Sequence, residues 1–171
     1  MNALVPGSYD PMTLGHINIV ERVSSMFDKI YVAVMNNDSA EHDPSLCSKT
    51  YMFTEEQRLE IVRRSVAHIK NAEAVLYRGM LVDFCNEYDI CAVIRGVRNS
   101  EDFNYEMIHA KYNREHNPRA QALFMPSDEK FNALSSTKIR QAIEHRDFEL
   151  LDGSVCPDAL VYIKSIYQER N

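Results

Sequence analysis

Residues 4–23 read LVPGSYDPMTLGHINIVERV, and the way this stretch changes character decides the fold. It opens on the end of a short apolar strand, residues 2–5 (NALV), and then breaks at Pro6-Gly7. A polar segment leads to Gly15-His16. From His16 to Phe27 the apolar residues Ile17, Ile19, Val20, Val23 and Phe27 recur at helical spacing. The run KIYVAVM (29–35) follows at once, near-continuous and rich in β-branched residues. Such a run suits a strand covered on both faces. Strand, glycine-bearing loop, helix and strand in under 35 residues is the start of a βαβ unit.

Outward from this unit the alternation continues. Thr54-x-x-Gln57 is a capping-box pattern at the head of TEEQRLEIVRRSVAHI. Strands are expected at EAVLY (73–77), CAVIR (91–95) and AQALFMP (120–126). Helices are expected over MLVDFCNEY (80–88), residues 100–116, 135–146 and 157–168, the last with Pro157 in its first turn. The fold class is therefore α/β: a Rossmann-like, doubly wound, five-stranded parallel sheet with helices on both faces. Residues 1–171 are expected to form one domain, with no internal repeat. The stretch 36–53 is the one long loop, and loops of that length tend to be functional.

Composition narrows the function. Of 171 residues, 45% are apolar and 26% charged, ordinary values for a globular chain. The net charge of −6 argues against general attraction to nucleic acid or to an anionic membrane. No apolar run approaches the roughly 20 residues of a membrane span. The first residues show no basic segment followed by an apolar one, so no secretion signal is expected. Cys47, Cys85, Cys91 and Cys156 have no C-x-x-C spacing and read as reduced thiols. A cytoplasmic protein without a structural zinc site is the expectation.

In doubly wound sheets, ligands lie beyond the carboxyl ends of the strands. Three loops there are suited to phosphate. After strand 1, Gly7 allows close backbone approach, and Ser8 and His16 offer donors at a helix start. The alternative is that His16 is only a helix-start residue. After strand 4, Arg95-Gly96-Val97-Arg98 supplies two guanidinium forks, or else a solvated surface pair. After strand 5, Ser135-Ser136-Thr137 precedes Lys138 and Arg140, and its hydroxyls suit either a cap or a phosphate. Lys49 and Glu106, taken alone, read as surface charges. No G-x-G-x-x-G, no H-E-x-x-H and no Ser/His/Asp order is present. Donors and cations without an activated nucleophile fit direct phosphoryl or nucleotidyl transfer.

On these residues the chain resembles the phosphopantetheine adenylyltransferases, bacterial-type enzymes of coenzyme A synthesis within the T/H-x-G-H nucleotidyltransferases. The segments that carry the resemblance are PGSYDPMTLGH, YMFTEEQR, GMLVDF, IRGVRNSEDFNYEM and LSSTKIR. The resemblance implies ATP and 4′-phosphopantetheine as substrates. It implies that His16 stabilises the transition state, with Ser8, Lys49 and Arg95 beside it. Ser8, Lys49, Leu81 and Arg95 would bind phosphopantetheine. Ser8, Tyr9, His16, Gly96, Val97, Arg98 and Glu106 would contact ATP, with Phe131, Asn132, Ala133, Leu134, Ser135, Ser136 and Thr137 closing over the nucleotide. Magnesium would arrive with ATP, and no acidic pair announces a metal cage. A homohexamer and feedback by coenzyme A are further implications.

Three departures from the family pattern stand out. Tyr9 replaces the usual Phe, the 36–53 loop is longer and more acidic, and LSSTKIR is closer to the pattern of pyridine mononucleotide adenylyltransferases. Such an enzyme is the alternative reading, and a nucleotide-binding regulator without turnover is the other.

Overall fold

The computed structural model describes residues 1–36 and 50–168. Five parallel strands form one sheet in the order β3-β2-β1-β4-β5. They are β1 (Asn2–Gly7), β2 (Lys29–Met35), β3 (Ala72–Tyr77), β4 (Ile90–Val97) and β5 (Gln121–Pro126). The chain builds outward from β1 to β3, then returns to lay β4 on the other side of β1. The switch point of the sheet therefore falls between β1 and β4, where a ligand crevice opens in folds of this kind.

The helices are α1 (Leu14–Ser24), α2 (Glu55–Val66), α3 (Leu81–Glu87), α4 (Ser100–His116), α5 (Ser136–Glu144) and α6 (Pro157–Gln168). They cover both faces. Ala3, Val5, Ile30, Val32, Val34 and Ile94 pack with apolar residues of α1, α2, α5 and α6. Leu4, Ala33 and Val93 point the other way, onto Phe84 and Cys85 of α3. Alternation along β1 and β2 thus feeds two cores, which is why KIYVAVM carries apolar residues at successive positions.

Element boundaries shift slightly from the sequence expectation, for local reasons. Helix α1 begins at Leu14 because Thr13 is its N-cap, and it ends at Ser24, short of Phe27. The capping box of α2 forms as read: Gln57 N donates to Thr54 Oγ1 at 3.2 Å and Thr54 N to Gln57 Oε1 at 3.0 Å. Helix α4 is the exception to the amphipathic pattern. It has no fully buried residue and packs on β4, β5 and α3 while leaving Phe103, Tyr105 and Ile108 exposed.

Candidate active site

The loop after β1 is held from every side. Tyr9 has a left-handed backbone (φ 47°), unusual for a bulky residue. Its burial and a hydrogen bond from its hydroxyl to Val5 O at 2.8 Å hold it there. A Cβ on Gly7 would lie 2.8 Å from the Tyr9 ring, so the close approach demands glycine. The Asp10 carboxylate, 1% exposed, accepts from Met52 N and Phe53 N, both at 3.0 Å. Arg140 Nη1 donates to Asp10 O at 2.8 Å, and Ser136 Oγ donates to Pro11 O at 2.9 Å. The loops after β1 and β5 are thereby bound together.

His16 occupies the third position of α1 and completes a capping box there. Its backbone N–H donates to Thr13 Oγ1, while Thr13 N–H donates to His16 Nδ1 at 2.9 Å. An Nδ1 that accepts carries no proton, so in the neutral ring the proton sits on Nε2. The Tyr9 ring meets the imidazole edge-on at 5.4 Å. His16 is a helix-start residue, and that role fixes its tautomer and aims it.

Arg95 Nε lies 3.1 Å from Glu106 Oε2, and Arg95 Nη1 donates to Pro6 O at 3.2 Å. Arg98 Nε donates to Asp102 Oδ2 at 2.9 Å. Arg78, beyond β3, pairs with Glu55 at 2.6 Å and Glu56 at 3.3 Å. The cations of the cleft rest on carboxylates, so a phosphate that docks on Arg95 competes with Glu106 for it. His109, one turn beyond Glu106 on α4, has its pKa lowered by burial and by the Arg95 charge, opposed by Glu106. Burial likewise pushes the Tyr9 hydroxyl far above its ordinary value, so it stays a donor.

One cleft of about 1120 Å³ gathers these loops. Ser8, Tyr9, His16, Leu81, Arg95 and Gly96 line it, as do Arg98, Glu106, Phe131, Leu134, Ser135, Ser136 and Thr137. Val97, Asn132 and Ala133 are not in its wall. The Val97 carbonyl instead accepts from Ser127 N, and the Ala133 carbonyl from Lys138 Nζ. Lys49 and most of the 36–53 loop lie outside the described residues. Ser135 is the N-cap of α5 but makes no side-chain cap bond, so the hydroxyl run is not spent on capping.

The sequence reading passed over Asn36, Arg58, Arg78 and the α4 wall of Tyr105, His109 and Tyr112. A signal existed for Arg58. It falls in register with Ile61, Val62, Ser65 and Val66 on the buried stripe of α2.

Among the described residues no three His, Cys, Asp or Glu side chains converge as a metal site. The Asp10 carboxylate is already committed to two backbone donors.

A doubly wound sheet with phosphate-suited loops at its switch point is the architecture of a nucleotide-binding protein. The cytidylyltransferase-like family model matches residues 4–142. The chain is 35% identical to a phosphopantetheine adenylyltransferase of Staphylococcus carnosus (strain TM300) and 32% identical to that of Staphylococcus haemolyticus (strain JCSC1435). Each match spans 144 residues, 84% of both chains. A solved lipopolysaccharide core biosynthesis protein from Thermoplasma volcanium GSS1 shares the fold, with a TM-score of 0.54 at 16% identity. That likeness covers 75% of this chain and 98% of the other. The chain belongs to the cytidylyltransferase-like family and, within it, to the phosphopantetheine adenylyltransferases.

Proposed function

We propose that the protein transfers the adenylyl group of ATP to 4′-phosphopantetheine, giving dephospho-coenzyme A and pyrophosphate. An oxygen of the pantetheine phosphate attacks the α-phosphorus of ATP. A new P–O bond forms, the bond from the α-phosphorus to the bridging oxygen breaks, and pyrophosphate leaves. The observation that carries the reading is His16: Thr13 holds its Nδ1 so that Nε2–H is a fixed donor in a cleft also lined by Arg95, Arg98 and Ser8. A preorganised donor meets the growing negative charge without reorganisation. Ser8, Tyr9, Gly96, Arg98, Glu106 and the 131–137 segment serve ATP. Ser8, Leu81, Arg95 and Lys49 serve phosphopantetheine.

The described residues supply no cage for a divalent ion. ATP enters as its magnesium complex, and no side chain is assigned to that ion. The chain acts as one nucleotidyltransferase domain in the cytoplasm; among the described residues no helix is long and apolar enough to cross a membrane. Coenzyme A, which shares the pantetheine arm and the nucleotide, occupies the same cleft as a feedback ligand.

A homohexamer is the oligomer that the family resemblance implies, and Ile108 of α4, 69% exposed, supports self-association. Sedimentation of the wild type as a hexamer, with smaller species for Ile108→Glu, is the expected result. A monomeric wild type would end the oligomer proposal.

The decisive assay offers ATP with 4′-phosphopantetheine and, separately, with nicotinate or nicotinamide mononucleotide. Dephospho-coenzyme A is the expected product. Turnover of the pyridine nucleotide alone would move the substrate, and ATP binding without pyrophosphate release would make the protein a regulator.

A further inference from the structure

We propose that Arg58 is a positioning residue for adenylyl transfer, holding the Ser8 carbonyl and the Asn36 side chain from behind the wall of the cleft. The inference rests on the adenylyl-transfer reading above. Arg58 is 1% exposed, among the most buried side chains of the molecule. Its Nη1 donates to Ser8 O at 2.8 Å and its Nη2 to Asn36 Oδ1 at 2.6 Å. The guanidinium lies 4.1 Å over the Tyr51 ring. Nε is buried with no acceptor among the described residues, and no carboxylate among them lies within ion-pair distance.

A buried cation whose direct partners among the described residues are neutral acceptors and a ring face is costly. An apolar side chain would fill the stripe of α2 at lower cost, so packing does not account for it. The fork accounts for it better, because one planar group reaches two loops in fixed directions, which an ammonium cannot do. Ser8 follows β1 and Asn36 follows β2. Asn36 Nδ2 donates in turn to Glu55 Oε1 at 2.7 Å, and Glu55 Oε2 accepts from Arg78 Nε at 2.6 Å, beyond β3. Arg58 thus joins the carboxyl ends of three neighbouring strands, and Ser8, Asn36 and Arg78 all line the cleft. Its charge, felt by the Glu55 carboxylate, also sits directly behind a wall suited to phosphate.

The test compares the full-length wild type with Arg58→Lys and Asn36→Ala, and with the variant carrying both. It measures steady-state formation of dephospho-coenzyme A, ATP affinity by calorimetry, and thermal melting. Misaligned reacting groups cost turnover before affinity. The expected result for Arg58→Lys is a folded protein with kcat lowered about 10- to 100-fold and ATP affinity changed less than about threefold. Asn36→Ala is expected to lower kcat about 3- to 10-fold, and the double variant to lose less than the product of the two. Wild-type kcat in folded Arg58→Lys, or losses that track only the unfolded fraction, would overturn the role. If Arg58→Lys does not fold, undiminished kcat in Asn36→Ala overturns it instead. A wild type that forms no dephospho-coenzyme A would sink the functional reading itself, whereas an active wild type with equally active variants sinks only Arg58.

Discussion

At the scale of single residues the molecule turns on how His16 is held. Thr13 takes the ring's Nδ1 with its own backbone N–H, and Tyr9 braces the ring edge-on. Removing the imidazole removes one aimed donor. His16→Ala is expected to leave ATP binding largely intact and to lower kcat about 10²- to 10³-fold, as for loss of an oxyanion-type donor. Steady-state kinetics beside calorimetry would check this, and near-normal turnover would refute the role. Cys85 acts in the opposite way, as packing. Burial pushes the Cys85 thiol up to about 12, so almost no thiolate exists at neutral pH. Mass spectrometry after brief alkylation of the native protein should find Cys85 unmodified.

At the scale of elements, caps and strand ends set the geometry. Thr54 opens α2 with a reciprocal capping box, and α2 delivers Arg58 to the back of the cleft. Thr54→Ala is expected to cost about 1 kcal/mol of stability, readable as a lowered denaturant midpoint. These features were legible in the chain. Thr54-x-x-Gln57 and Pro157 both announce helix starts because these signals are local, whereas the Thr13 cap of α1 was not read. Strands β2 and β4 were legible because both-face burial leaves continuous apolar runs. The partner of Arg95 was not. Glu106 sits 11 positions beyond Arg95, and only the packing of α4 beside β4 brings its carboxylate to 3.1 Å. The wall formed by α4 was equally hidden, since a helix with no buried residue has no stripe to read.

At the scale of the whole molecule, ligand-free cations rest on carboxylates, and the charge of the cleft is tuned by what packs around it. His109 faces Arg95 and Glu106 from α4, and its pKa lies below the ordinary 6.5. In that window the unfolded chain binds more protons than the folded one. Stability from neutral His109 is therefore complete above about pH 6.5 and is lost as pH falls from there through the lowered folded-state value. His109→Gln should flatten that slope in denaturation measured across a pH series. An unchanged slope would show that other groups govern it.

The residues alone determined the alternating elements, the sheet class and the three phosphate-suited loops, because each depends on neighbours a few positions apart. The family resemblance of those loops was readable on the same basis. Tertiary structure alone decided which cations meet which carboxylates and which helix walls the cleft. It also decided that a buried arginine on α2 ties together the ends of three strands. Apart from Arg98 and Asp102, which are near in the chain, those contacts join positions 11 to 130 residues apart. Chain spacing carries no information about such pairs until the sheet order and the packing of helices on it bring them within hydrogen-bond reach.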